Sequence, residues 1–268
     1  MRNISVILNN TKIKAFTVFE KLFDILEKYN VNIEINNIKE NTDIIFTLGG
    51  DGTLVRAIKE NKSNIPIVGI NCGTLGFLTE INEENLEKSI KKIFEGEYFL
   101  NSCNMLHCEV IRDDRKIFSS NAINDVVISR SSALEMIRFD VYINNQRIKQ
   151  YNADGFIVST PLGSSAYALS CGGPIIEPTS KLIELTPIAS HSLINRSIVI
   201  DDTKEVELKI VESRNNKSNT LLSIDGEKPF ELEINDKIII TKASQRPNLV
   251  RLNNDSFVDN IAKKMFES

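Results

Sequence analysis

The sequence holds only two histidines, His107 and His191, and four cysteines, Cys72, Cys103, Cys108 and Cys171. Neither histidine sits in a telling context, which argues against a Ser-His-Asp hydrolase. The cysteines show no disulfide-like regularity. A zinc site built from Cys103, His107 and Cys108 would lack paired Cys-x-x-Cys knuckles, so the thiols read as small buried side chains and no metal ligand is assigned. No apolar run approaches the length of a membrane span, and the start "MRNISVILNN" lacks the uninterrupted apolar stretch of a signal peptide. A basic block is missing too: 32 Lys and Arg against 36 Asp and Glu give a net charge of −4, which argues against a nucleic-acid binder. These absences point to a cytoplasmic protein with neither membrane nor nucleic acid among its partners.

The familiar nucleotide signatures are also missing. There is no Gly-x-x-x-x-Gly-Lys-Ser/Thr, so this is not a P-loop enzyme. Gly69, Gly73 and Gly76 in "GINCGTLG" are not spaced as Gly-x-Gly-x-x-Gly, so no ordinary dinucleotide grip is present. "GSSAYALSCGG" contains no Gly-x-Ser-x-Gly elbow. Internal repeats and low-complexity linkers are lacking.

What the chain has is an ordinary globular composition, 41% hydrophobic and 25% charged over 268 residues, enough for a sizeable core. Its first hundred residues alternate strands and helices. "ISVIL" reads as a strand, and "KAFTVFEKLFDILEKY" as a helix with Phe16, Phe19, Leu22, Phe23 and Leu26 on one face. "DIIFTL" and "IPIVGIN" lack polar alternation, as expected of strands buried on both sides. "NEENLEKSIKKIFEGEY" has acids early and lysines later, as the helix dipole prefers. Both strands end in glycine-rich turns, where parallel sheets bind ligands.

After about Leu100 the pattern changes to strand-like segments separated by turns. They are "LHCEVIR", "AINDVVIS", "IRFDVYINNQRIKQY", "GFIVST", "SIVI", "EVELKIV", "TLLSIDGE" and "DKIIITKA". The Asn-Asn pair in "VYINNQRI" signals a hairpin. The expected fold is therefore α/β plus all-β. A Rossmann-like α/β domain spans 1–100 and carries the Gly-Gly-Asp-Gly-Thr loop, an antiparallel β domain spans 101–249, and a tail helix in 250–268 packs back on the first. The two are expected to pack closely with a cleft between them.

Four loops stand out: Gly49–Thr53, Asn71–Phe77, Ala122–Asp125, and the long stretch from Asn152 to Pro174. The last combines an Asp-Gly turn, small hydroxyl residues, Tyr167 and Gly-Gly-Pro, a density of small residues that suits backbone approaching something flat or charged. An Asp between glycines would repel a phosphate. It makes sense if it faces a divalent cation or a substrate proton, and Asp51 stands where a buried strand ends.

Together these loops, "GGDGT", "GINCGTLGFL", "NAINDVVI" and "DGFIVSTPLGSSAYALSCGGPI", resemble the NAD kinase family in order and spacing over nearly the whole chain. Lipid kinases of the diacylglycerol type and phosphofructokinases carry close versions of the first loop, whereas the stretch from Asp154 to Pro174 is far more specific. The resemblance implies transfer of a phosphoryl group from ATP, or another donor such as polyphosphate, to the adenosine-ribose 2′-hydroxyl of NAD, giving NADP. It implies an α/β and a β domain with NAD between them, Mg²⁺ arriving with the nucleotide, and a homo-oligomer, dimer or tetramer.

The resemblance also implies residue roles. Asp51 is the general base that accepts the hydroxyl proton. Gly49, Gly50, Gly52 and Thr53 offer donors to phosphates, and Arg56, one helical turn on, faces a phosphate. Phe77 packs against the dinucleotide. Asn124 and Asp125 hold the ribose hydroxyls and adenine edge. The segment Ser165, Ala166, Tyr167, Ala168, Leu169 and Ser170 grips NAD, with Asp154 beside its other end. Asn152 stands where the family often has Arg, Glu227 where Gln is common, and Leu162 where Thr or Ser is common. A lipid kinase and a dinucleotide-binding regulator without chemistry are the rival readings.

Overall fold

The structure, a computed structural model, describes the chain except residues 74–75, 133–134, 192–194, 212–218, 254–256, 259–260 and 263–268. It divides into two compact units, Met1–Cys103 with Gln245–Ser268, and Asn104–Ser244.

The first unit comprises β1 (Asn3–Leu8), α1 (Ile13–Glu27), β2 (Asn32–Ile35), β3 (Ile44–Gly49), α2 (Asp51–Glu60), β4 (Ile67–Asn71), β5 (Ile81–Asn82), α3 (Leu86–Phe94), β6 (Phe99–Ser102) and a closing strand, Asn248–Arg251. The sheet order is β2-β1-β3-β4, then the closing strand and β6, with β5 also on β4. Pairing is parallel except between the closing strand and β6. Every residue of β3 and β4 is buried, which is what their unbroken apolar runs require of central parallel strands. The register sets Leu8 beside Leu48 and Gly49 beside Asn71. Three loops, after β1, β3 and β4, therefore open at one edge of the sheet.

Helix α1 buries Leu22 and Leu26 as expected, but its inward face is rotated away from the phenylalanines. Ala15, Val18, Leu22, Ile25 and Leu26 point inward, while Phe16 and Phe23 are exposed and Phe19 is only partly buried. The inward stripe follows the i, i+3, i+7 rhythm, and the phenylalanines lie on its flank, with Phe19 and Phe23 in ring contact at 6.0 Å. Most of the expected tail helix lies outside the described residues.

The second unit holds β7 (Leu106–Arg112), β8 (Arg115–Ala122), β9 (Asp125–Arg130), β10 (Ile137–Ile143), β11 (Gln146–Ala153), β12 (Gly155–Ser159), α4 (Tyr167–Ser170), β13 (Leu182–Ile188), β14 (Ile198–Asp201), β15 (Val206–Ile210), β16 (Thr220–Ile224), β17 (Phe230–Leu232) and β18 (Lys237–Lys242). They form two antiparallel sheets, β11-β10-β15-β18-β7-β8 and β14-β13-β12-β9-β16-β17. Inward residues of both sheets share one core, with Phe139, Tyr151 and Phe156 in mutual ring contact. Asn144 and Asn145 both take positive φ, 48° and 63°, the left-handed pair that a two-residue hairpin turn needs. "AINDVVIS" is not one strand: β8 ends at Ala122 and β9 begins at Asp125, leaving Ile123 and Asn124 as the break.

Candidate active site

In the first unit, β3 ends at Gly49 and Asp51 is the first residue of α2. The Asp51 carboxylate is held from the second glycine loop. Its Oδ2 accepts the backbone N–H of Phe77 at 2.8 Å and its Oδ1 that of Leu78 at 3.1 Å. A Cβ on Gly76 would lie 2.0 Å from Asp51 Oδ1, so only glycine lets this loop wrap the carboxylate. A carboxylate has about four lone-pair positions; the two amides fix its orientation and leave directions open for a proton or ligand. The loop is braced in turn: Arg251 Nη1 donates to Leu78 O at 3.1 Å and to Glu80 Oε2 at 2.9 Å, a pair almost fully buried.

Beside Asp51 lies a cavity of about 300 Å³ lined by Asn9, Lys12, Gly50, Gly52, Thr53 and Arg56. Gly52 has open space over its Cα. Asn9 Nδ2 donates to Thr53 Oγ1 at 3.3 Å, and the Thr53 N–H is spent on Gly50 O, so Thr53 has only its hydroxyl to offer. Gly49 belongs to the strand, where its carbonyl accepts Cys72 N–H at 2.9 Å. Arg56 is exposed, with Glu60 at 4.0 Å its ion-pair partner.

In the second unit, the break between β8 and β9 is clamped by one side chain. Asp225 Oδ2 accepts the N–H of Ile123 at 2.9 Å, and its Oδ1 accepts those of Asn124 at 2.7 Å and Asp125 at 3.0 Å. The Asp225 N–H returns a bond to Asp125 O. The long loop packs on the same turn: Thr160 N–H and Ser159 Oγ donate to Asn124 O, and Thr160 Oγ1 to Ile123 O. Gly163 lies against it, where a Cβ would stand 2.1 Å from Asn124 O. Both backbone groups of Asn124 are thus occupied.

Tyr167 begins the short helix α4. Burial, then Cys171, Asp125 and Asp154 in that order, raise its phenol above the usual tyrosine value, so the structure gathers Tyr167, Asp125 and Asp154. Asp125 is buried, and Asp154 pairs with Arg130 at 3.0 Å. Ala166, Tyr167, Leu169 and Ser170 are exposed and Ser165 half-buried; its hydroxyl donates to Leu162 O at 3.2 Å. Ala168 is instead buried against Val127 and Ile157. Asn152 is exposed on β11, and Leu162 is buried at 2% exposure. Beneath the loop, Glu184 is wholly buried, accepts Thr186 Oγ1 at 2.6 Å, and has its carboxyl pushed above the usual range by that burial.

Lys12, Arg251 and Asp225 were not legible as site residues. Each acts across a long sequence separation, and the local strings "NNTK", "LVRL" and "SIDGE" read as turn or strand.

For the metal, no group of three or more His, Cys, Asp or Glu among the described residues could hold an ion. Burial pushes the thiols of Cys103 and Cys108 up to about 11 and about 12, the environment of small buried side chains. Asp51 is the carboxylate next to the phosphate cavity, and a single carboxylate there fits an ion carried mainly by phosphate oxygens.

A strand-end Gly-Gly-Asp-Gly-Thr loop on an α/β unit, joined in one chain to an antiparallel β unit, defines a kinase class distinct from P-loop enzymes. The family model of the ATP-NAD kinase N-terminal domain matches residues 4–98, and that of the ATP-NAD kinase C-terminal domain matches 123–252. An NAD kinase of Lachnospira eligens is 39% identical, covering 92% of this chain and 87% of its own. One of Thermoanaerobacter sp. strain X514 is 35% identical with both chains fully covered. Among solved structures, an NAD kinase from Archaeoglobus fulgidus in complex with ATP superposes with a TM-score of 0.80 at 25% identity, covering 97% of this chain and 98% of that one. Yeast NADH kinase complexed with NADH gives a TM-score of 0.90 at 22% identity, covering 100% and 88%, and supports the fold. The chain belongs to the NAD kinase family.

Proposed function

We propose that Asp51 is the general base of the family's reaction, the ATP-dependent phosphorylation of NAD to NADP. The observation that carries this reading is the Asp51 carboxylate, oriented by the Phe77 and Leu78 amides at the end of a buried strand. A ribose hydroxyl is a weak acid, so an aligned carboxylate takes its proton as the new P–O bond forms. The acceptor is the adenosine-ribose 2′-hydroxyl. The amides aim the carboxylate while its remaining lone pairs stay available.

The phosphates of the donor lie along Gly50, Gly52, Thr53 and Arg56, where the cavity lining is polar and cationic. Mg²⁺ comes with the triphosphate and lowers its charge next to Asp51. On the second unit, Asn124 and Asp125 bind the ribose hydroxyls and adenine edge; the Asp225 clamp that fixes their backbone supports this. Tyr167 and its exposed neighbours grip the dinucleotide, with Asp154 held in place by Arg130. Ala168 anchors that segment to the core rather than touching ligand with its side chain. Phe77 contributes its ring to the dinucleotide and its amide to the base. The protein works in the cytoplasm, consistent with four unpaired thiols, and as a homo-oligomer, the assembly its family resemblance implies.

The test is incubation of the purified chain with ATP, Mg²⁺ and NAD, and separately with diacylglycerol in place of NAD. NADP carrying its new phosphate on the adenosine ribose is expected. Phosphorylated lipid, or NAD bound but unchanged, would favour the lipid kinase or the regulator.

A further inference from the structure

Lys12 lies outside every motif that carries the family resemblance, yet it sits at the mouth of the phosphate cavity. It is the residue before α1, in the turn leaving β1, and its N–H donates to Asn9 O at 3.2 Å. Because β1, β3 and β4 run parallel and in register, that turn opens at the same sheet edge as both glycine loops. The side chain reaches across them. Its Nζ lies 3.9 Å from the position of a Cβ on Gly50 and 3.1 Å from one on Gly73. A side chain at Gly73 would press on the ammonium, whereas one at Gly50 would only come into van der Waals contact with it.

Among the described residues the ammonium has no acidic partner there. Lys12 enters no ion pair among the described residues, whereas Lys14, two positions on, pairs with Glu83 at 3.5 Å. The cavity lining contains two cations, Lys12 and Arg56, and no carboxylate. Among the described residues, Arg56 itself is paired only through the long, solvent-exposed contact to Glu60. Two cations converging on polar groups and glycine backbone, with no anion supplied by the lining, form a site for a multiply charged oxyanion.

We propose that Lys12 binds the terminal phosphates of the phosphoryl donor, jointly with Arg56, supplying from the β1 turn the charge that a P-loop lysine supplies from its own loop. This rests on the reading of the cavity as the donor site. The reaction needs such a charge: negative charge on the transferring group must be balanced, and Asp51 adds to it rather than offsetting it. The β1 turn is a suitable source because it is independent of the loop that carries the base. Lys12 can therefore follow the phosphates without displacing Asp51.

The experiment compares wild type with Lys12→Gln, Lys12→Arg and Lys14→Gln. Binding of ATP with Mg²⁺ and of NAD is measured separately by calorimetry, alongside KM for each substrate and the melting temperature. Loss of one charge-assisted contact lowers ATP affinity by about 10-fold or more. Lys12→Gln should show that loss with NAD affinity and melting temperature near wild type, Lys12→Arg should restore most of it, and Lys14→Gln should behave as wild type. ATP affinity of Lys12→Gln within about twofold of wild type would overturn the proposal while leaving NADP formation and the role of Asp51 untouched. Equal losses for ATP and NAD would overturn it as well. A wild-type protein that makes no NADP would instead strike the underlying functional reading.

Discussion

Replacing Asp225 tests how the second unit presents Asn124 and Asp125. Its two oxygens divide the work unequally: Oδ1 accepts two amides, from Asn124 and Asp125, and Oδ2 one, from Ile123. Asp225→Asn can keep its carbonyl at the Oδ1 position, retaining two bonds and setting an amide NH₂ against the Ile123 N–H. Asp225→Ala loses all three. Hydrogen bonds to a charged group contribute about 1.5–3 kcal/mol each. Water can reach a part-buried turn and the bonds are not additive, so the expected costs are about 1–2 kcal/mol for Asn and about 3–5 kcal/mol for Ala. Urea midpoints should fall in that order. NAD affinity should fall with them, because Asn124 and Asp125 lose their fixed backbone, while ATP affinity, which depends on loops of the first unit, stays near wild type. Calorimetry with each nucleotide and urea titration of each variant provide the readings. If Asn and Ala cost the same, or if NAD affinity ignores both, the clamp is not what presents these residues.

Two further predictions concern the second unit. Burial raises the Glu184 carboxyl above its ordinary value of 4.5, so the native state binds that proton more tightly than the unfolded chain. The stabilising contribution is complete below the ordinary value and is lost as pH rises through the raised native one. Glu184→Gln removes this dependence, so thermal melts should agree at pH 4 and favour Gln increasingly toward pH 8; a difference independent of pH would mean the carboxyl does not stay protonated in the fold. Leu162 is buried, so Leu162→Thr places a hydroxyl where a methyl branch packed. It should lower the melting temperature with little change in NAD affinity, and tighter NAD binding at unchanged stability would show that this side chain faces the ligand after all.

The central strands were legible because β3 and β4 are unbroken apolar runs, and burial on both faces is the only packing that suits such runs in a parallel sheet. The hairpin at Asn144 and Asn145 was legible because few residues tolerate positive φ. The face of α1 was legible only at Leu22 and Leu26, since large aromatic rings outweighed the smaller residues Ala15 and Val18 that complete the inward stripe. Strand β13 has no clear sequence signature because it contains Pro187 and Glu184, residues that rarely sit in a strand interior; Glu184 is nevertheless fully buried there. Asp51 could be found from its glycine setting and its place at a strand end. Its partners could not: the groups that hold it are backbone amides, and an amide carries no sequence signature. The sequence marks Phe77 by its ring, although its N–H is what reaches Asp51. Asp225 lies about a hundred positions from the turn it clamps, and Lys12 meets the glycine loops only through strand register.

The central claim is that Asp51 acts in the chemical step, and single-turnover phosphorylation of NAD by Asp51→Asn tests it most directly. The substituted side chain can keep one of the two amide bonds and turns its NH₂ toward the other donor, so a modest stability loss, about 1–3 kcal/mol for the unpaired amide, accompanies the change and is measured alongside. With NAD and ATP both saturating, the phosphoryl-transfer rate should fall by at least about 10²-fold, while the NAD dissociation constant from calorimetry moves much less. A single-turnover rate within about tenfold of wild type, or a loss explained wholly by weaker NAD binding, would contradict the assignment of Asp51 as the base.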